Sequence, residues 1–352
     1  MPRIKQIAYE AFYRVGLHHC FGRHSNAAIL MLHSVVDAHP QRDFHPNRQF
    51  LMTKDVFVGL LDALTDFGYS FVTLDEVFER LRAGDIKSKC VALTFDDGYR
   101  DNYSVVWPIC RDRQIPITVY VTTGMIDRVH HAWWYGLEEW IATRERIEFE
   151  LQGRNEALSV ATLQEKEAAY DKIARILQRA RPSERYAFYR SVQANDAIDI
   201  TSMSDALTLT WEELRRFARE PFVTIGAHSV SHAALSRLSA AEMREELAGS
   251  RALLEHHIGL PVRHLAYPYG DPSTVGPREY AAARKLGFVT ATTTRHSLLS
   301  TIDRQTPHRL PRIPTDPFET RATLAVKLSG LPGKLKRVSD SLRKRNEESP
   351  QS

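Results

Sequence analysis

The chain has 352 residues, 43% apolar and 26% charged, with 47 Lys and Arg against 43 Asp and Glu for a formal charge of +4. This is the balance of a globular protein long enough to bury a large core, as one α/β barrel or two smaller domains, and it argues against disorder outside the ends. No apolar run approaches the ~18 to 20 residues of a membrane span, and the basic residues are not interleaved with stacking aromatics around a nucleic-acid motif, so no nucleic-acid partner is expected.

Three cysteines, Cys20, Cys90 and Cys110, form neither an even disulfide set nor a metal-ligand spacing. The apolar stretch at 27–32 is too short for a signal-peptide core, so a reducing, cytoplasmic setting is expected. Residues 1–26 read as a basic helical lead-in, with Arg3, Lys5, Arg14 and Arg23 among Ile4, Ile7, Phe12 and Leu17. Residues 333–352 read as a basic polar tail containing Lys334, Lys336, Arg337, Arg343, Lys344 and Arg345. Two readings stand for these ends: solvated segments, or a basic N-terminus in peripheral contact with an anionic membrane.

The first strand is predicted at 28–32, ending at His33. Thr53 then caps a helix whose apolar positions Phe57, Leu60, Leu61 and Leu64 recur at three and four residues, closed by Gly68. A short strand over 71–74 precedes a helix capped by Asp75, and a helix over 103–113 is kinked or started by Pro108. With a further strand at 116–122, this alternation predicts parallel β/α units. Residues 129–220, with Trp133, Trp134 and Trp140 and a charged helical stretch over 164–181, break the rhythm and read as a mostly helical insertion. The alternation resumes at Phe222, with a helix over 240–257, a strand at 264–267, a helix over 277–286 and a strand at 288–292.

Three strand ends carry the chemistry. In Val91-Ala92-Leu93-Thr94-Phe95-Asp96-Asp97-Gly98-Tyr99, an apolar strand stops at two adjacent carboxylates. Adjacent side chains at a strand end diverge, so one acid can bind a cation while the other handles a proton. In the segment from Phe222 to His232, a β-branched strand runs into His228 and His232, an i, i+4 pair that a helical turn would place on one face. Two imidazoles and one carboxylate make a ligand set with open positions, as in a hydrolytic zinc site. The third end is His264-Leu265-Ala266-Tyr267-Pro268-Tyr269-Gly270, where Pro and Gly force a turn.

Thr94-Phe95-Asp96-Asp97-Gly98, His228-Ser229-Val230-Ser231-His232 and Tyr267-Pro268-Tyr269-Gly270 resemble, in order, three motifs of the polysaccharide deacetylases with the nodulation-protein-B homology domain, carbohydrate esterase family 4. The resemblance covers residues 27–128 and 221–315. It implies a distorted (β/α) barrel of about seven strands over 27–332, interrupted by the insertion at 129–220. The implied activity is metal-dependent hydrolysis of the N-acetyl group of an amino sugar, releasing acetate. It also implies Asp97, His228 and His232 as ligands of one divalent ion, zinc first and cobalt, manganese or iron as alternatives. Asp96 would be the general base, and the Tyr269 backbone N–H would face the oxyanion.

Two departures bear on this. The third motif of the family usually begins with an Arg that holds the base, and Ala266 stands in that place, so Arg312 or Arg309 is expected to supply the guanidinium. No Leu-x-His acid occurs near the end of the domain. In one subset of the family that His lies on a permuted N-terminal strand, which makes His33 the expected acid and His308 the reserve. The tryptophans divide evenly between a saccharide platform and the insertion's own core. Two other functions fit parts of this pattern: a divalent-metal glycosyltransferase, which needs no His pair, and a non-catalytic saccharide-binding protein on the same barrel. The glycan and the oligomeric state are left open.

Overall fold

The computed structural model describes residues 3–16, 26–151, 153–195 and 200–333. Cys20, Arg23 and the tail cations from Lys334 onward lie outside the described residues. Helix α1 (Arg3–Arg14) packs against the last helix, α13 (Arg321–Leu328), and leaves Ile7 and Val15 exposed.

Strand β1 (Ala27–Leu32) is followed by β2 (Ser34–Val36), β3 (Leu51–Thr53), helix α2 (Lys54–Asp66), β4 (Ser70–Phe71), α3 (Leu74–Ala83) and β5 (Cys90–Phe95). Then come α4 (Trp107–Asp112), β6 (Ile117–Val121) and α5 (Thr123–Ile126). Residues 129–220 contribute α6 (Trp133–Ala142), β7 (Arg146–Leu151), β8 (Arg154–Ser159), α7 (Leu163–Arg179), α8 (Pro182–Asn195), α9 (Ile200–Leu207) and α10 (Trp211–Phe217). The chain ends through β9 (Val223–Ala227), α11 (Ala240–Ile258), β10 (His264–Ala266), α12 (Pro277–Lys285), β11 (Thr290–Thr292), β12 (Ile313–Pro314) and α13.

Seven strands form one parallel sheet in the order β11-β10-β9-β6-β5-β1-β12, with β4 beside the start of β5. Every residue of β5 and β6 is buried, the signature of a sheet covered on both faces, which explains why they are apolar but for Thr94 and Thr118. The run leading into β12 also meets β11 through a bridge between Thr292 and Leu310, so the sheet curls into a distorted barrel. Because the strands are parallel, their C-terminal ends share one rim, where such folds place their sites. Leu32 is in register with Phe95, Phe95 with Val119, and Val121 with Ala227, so His33, Asp96 and His228, each one residue past a strand, arrive at that rim together.

Local details depart from the sequence reading. Thr73, not Asp75, caps α3, its side chain accepting from the Glu76 N–H at 3.1 Å, and Asp75 sits in the first turn. A π-helical turn over Asn102–Val106 runs without a break into α4, so the helix starts ahead of Pro108 and the irregular turn falls just before the proline. The segment at 129–220 is not all helix: β7 and β8 pair as an antiparallel hairpin, with Ile147, Phe149 and Leu151 buried and the charged residues between them exposed. The segment has its own core, in which Trp140 stacks edge-on against Phe149 and Phe188 at 5.7 and 6.0 Å.

Candidate active site

Strand β5 ends on a sharp reversal. Asp97 and Gly98 both adopt left-handed backbone angles, φ +77° and +78°, and a Cβ on Gly98 would press on Val121 at 3.3 Å. This turn sends the two adjacent carboxylates in different directions.

Asp97 faces the histidine pair. Its Oδ1 lies 3.5 Å from His228 Nε2 and 3.3 Å from His232 Nε2, and all three side chains are buried. Contrary to the helical expectation, the loop after β9 is irregular, with Ser229 and His232 both at positive φ, yet the two rings still approach to 5.0 Å between centroids. The Ser229 hydroxyl accepts from the His232 N–H at 3.0 Å and so fixes this turn. The His228 Nδ1 is 2.8 Å from the Ala266 carbonyl, which can only accept; Nδ1 therefore carries the proton and the Nε2 lone pair faces Asp97.

Burial first, and then the charge of Asp96, push the Asp97 carboxyl up to about 7. Burial also holds both imidazoles below their ordinary value, His232 further with His228 beside it, so they stand as neutral donors. The ligand atoms of Asp97, His228 and His232 all lie within 4.8 Å of one another, and Asp97 Oδ1 is buried with no hydrogen-bond partner. One carboxylate and two neutral imidazoles around a buried, electronegative point fit a divalent cation.

Asp96 turns the other way and is held by Arg312. The guanidinium donates to both carboxylate oxygens, at 2.6 and 2.7 Å, and is itself fixed by Thr94 Oγ1 and the Thr293 carbonyl, each at 3.2 Å. Burial alone would raise the Asp96 carboxyl, but Arg312, aided by His228 and His33, holds it at about 2. Of the two expected arginines, Arg312 makes this pair, while Arg309 lies with His308 on an outer groove beside Pro277 and Arg284. The His308 Nε2 is bound to the Phe288 carbonyl at 2.8 Å. His33 instead lines the cleft with Asp96, Asp97, His228 and His232, its ring 4.9 Å from Phe50. Burial lowers it to about 4, against the opposing pull of Asp96.

Tyr269 has φ +61° and packs its ring on His232 at 4.7 Å; among the described residues its backbone N–H meets no acceptor. The cleft has a volume of about 390 Å³. It is also lined by Tyr170, Asp171, Arg175 and Gln178 of α7 and by Trp133 and Trp134. All three tryptophans are buried in the insertion's core; Trp133 and Trp134 also reach the cleft, where Trp134 lies 5.1 Å from His232 and donates its Nε1–H to Tyr99. The α7 face escaped the sequence reading because mixed polar residues on an amphipathic helix read as a solvated surface. So did the support behind it, where buried Glu138 receives His45 Nδ1 at 2.6 Å and the Asn47 N–H at 3.0 Å.

Comparison with known proteins agrees with this architecture. The Streptococcus pyogenes deacetylase PplD, solved in complex with acetate, superposes with a TM-score of 0.58 at 19% identity, covering 87% of this chain and 99% of that one. A de-N-acetylase from Aggregatibacter actinomycetemcomitans gives 0.51 at 17% identity, over 85% and 98%. At such identities the likeness establishes the fold alone. The Bacillus subtilis protein YxkH, named as a polysaccharide deacetylase, is 32% identical over 104 residues, 29% of this chain, and the match spans about a third (34%) of that relative. The polysaccharide deacetylase family model matches residues 83–291, more than half of the chain and the part that bears Asp96, Asp97, His228, His232 and Tyr269. The chain belongs to the polysaccharide deacetylase family.

Proposed function

We propose that the chain is a metal-dependent hydrolase that removes the acetyl group from the nitrogen of an amino sugar in an oligo- or polysaccharide, or in its lipid-linked precursor, and releases acetate. The observation that carries this reading is the convergence of Asp97, His228 and His232 on one point beside a second carboxylate, Asp96, clamped by Arg312. Asp97, His228 and His232 would hold a divalent cation, zinc in the first instance. When bound, it polarises the amide carbonyl and lowers the pKa of a water toward ~7.

Asp96 accepts the proton of the attacking water. Arg312 keeps it ionised and fixes both oxygens, so the accepting lone pair points into the cleft; a carboxylate held at about 2 is a weak base and suits water that is already acidified. The unpartnered N–H of Tyr269 donates to the developing oxyanion, an interaction worth ~3 kcal/mol when well aligned. His33 protonates the departing nitrogen. Burial keeps it neutral at neutral pH, so the proton it delivers is the one Asp96 took from the water, and its passage to His33 restores the Asp96 charge that favours the imidazolium. With the acid just past β1, this reading assigns the chain to the form of the family whose catalytic His lies on a permuted N-terminal strand. Trp133, Trp134 and α7 line the cleft in which the sugar would sit.

Acetate release from N-acetylglucosamine oligomers tests this reading. Release that stops on chelation, returns with Zn²⁺ and is abolished in His228→Ala supports it. Metal-independent glycan binding without acetate leaves the saccharide-binding alternative instead.

A further inference from the structure

A metal-ligating imidazole usually donates its far nitrogen to a carbonyl or carboxylate, which fixes the ring. His228 does so through Ala266, but the buried Nδ1 of His232 has no hydrogen-bond partner. With no hydrogen bond at Nδ1, the orientation of His232 rests on the packing of Trp134 and Tyr269 against its ring and on its backbone, which sits in the left-handed region at φ +52°, a conformation costly for a residue with a side chain. Something must hold that backbone.

The loop is gripped from two sides. From the barrel side, Glu246 of α11 accepts from the N–H groups of Val230 and Ser231, at 2.9 and 2.8 Å, and from the Ser231 hydroxyl at 2.5 Å. From the other side comes Arg185 of α8, in the insertion. It is 5% exposed, its Nη1 donates to the His232 carbonyl and its Nη2 to the Ser231 carbonyl, each at 3.3 Å, and its Nε has no partner. Among the described residues no carboxylate lies within ion-pair distance of it. Burying an uncompensated guanidinium is expensive, and here the whole return is two consecutive carbonyls of a ligand-bearing turn. The flat fork of an arginine matches that pair, as a lysine could not.

We infer that Arg185 is a positioning residue through which the insertion holds the backbone of His232 and thereby sets the geometry of the metal site. The inference rests on the metal reading above. It makes the insertion a structural partner of the ligand loop as well as a wall of the cleft.

Zn²⁺ affinity, by competition with a chromophoric chelator, and the visible absorption of Co²⁺-loaded protein test it in Arg185→Gln, Arg185→Lys and the exposed same-helix control Arg190→Gln. Arg185→Gln should bind Zn²⁺ ~10- to 100-fold more weakly, the range for removing a ligand's support, with an altered Co²⁺ spectrum. Arg185→Lys should fall between it and the wild type, and Arg190→Gln should match the wild type. An affinity in Arg185→Gln equal to or tighter than that of the control, with an unchanged spectrum, overturns the inference. Should Arg185→Gln fail to fold, Arg185→Lys decides: wild-type affinity and spectrum overturn it, weakened binding upholds it. A wild-type protein that takes up neither ion overturns the metal reading itself, whereas wild-type uptake with unaffected variants removes only the part given to Arg185.

Discussion

Replacing Arg312 with Met strands a charge in the core. The side chain is fully buried and closes on Asp96 with two hydrogen bonds of 2.6 and 2.7 Å, while Asp96 is itself only 4% exposed. Removing one partner of such a pair typically costs ~3–5 kcal/mol, because the remaining ion keeps its desolvation penalty and loses its compensation. With an unfolding entropy of ~2.1 cal/mol/K per residue, a chain of this length should lose about 4–7 °C in Tm. The stranded charge, and not the lost packing, should account for most of it, since Met fills much of the same volume. Adding Asp96→Asn to Arg312→Met should therefore recover about half of the loss or more, although the double variant makes no acetate. Differential scanning calorimetry of the wild type, both single variants and the double variant at neutral pH gives the cycle. A loss under ~1 kcal/mol in Arg312→Met, or a double variant no more stable than that single one, would refute the reasoning.

Asp101 supplies a pH dependence of the fold. Burial pushes its carboxyl up to about 6, although Ser34, the Val35 N–H and Asn102 donate to it. The folded state thus holds a proton that the unfolded state, at the usual 3.8, has already released. The contribution of Asp101 to stability should fall as pH rises from about 4 to about 6 and then level off. Since the other titrating groups are common to both proteins, the difference in Tm between wild type and Asp101→Asn should show this slope, and a difference that is flat over that range assigns it elsewhere. For the proposed acid, His33→Ala should lower turnover by at least ~10²-fold, as loss of a general acid does. His308→Ala, on the outer groove, should keep wild-type turnover, and the reverse result would exchange their roles.

The strand ends were legible because a buried parallel strand is apolar nearly throughout, so a carboxylate or imidazole just past its end stands out against the run that precedes it. Asp96, Asp97 and His228 are of this kind, and the register of β1, β5, β6 and β9 explains why they meet. His232 was found by spacing, but for the wrong local geometry: an irregular turn with two left-handed residues, not a helix, brings the rings together. Between Arg309 and Arg312 the sequence offered no discrimination. The choice is made by the short β12, which places Arg312 one residue before the strand and beside Asp96. The hairpin at β7 and β8 was written in the alternation of Ile147, Phe149 and Leu151, masked by the density of charge around them. Arg185 had no signal at all. Its partners lie some 46 residues away, and an arginine in a charged helix reads as solvated until the fold buries it.

The central claim is that three side chains remote in the chain share one cation. X-ray absorption at the zinc edge of reconstituted protein, with metal content measured in parallel, tests it most directly. One zinc per chain, with a first shell of two imidazole nitrogens and oxygen ligands that is lost in Asp97→Ala and in His232→Ala, is the predicted result. Zinc that stays bound with the same shell in both variants, or a protein that binds none, would contradict it.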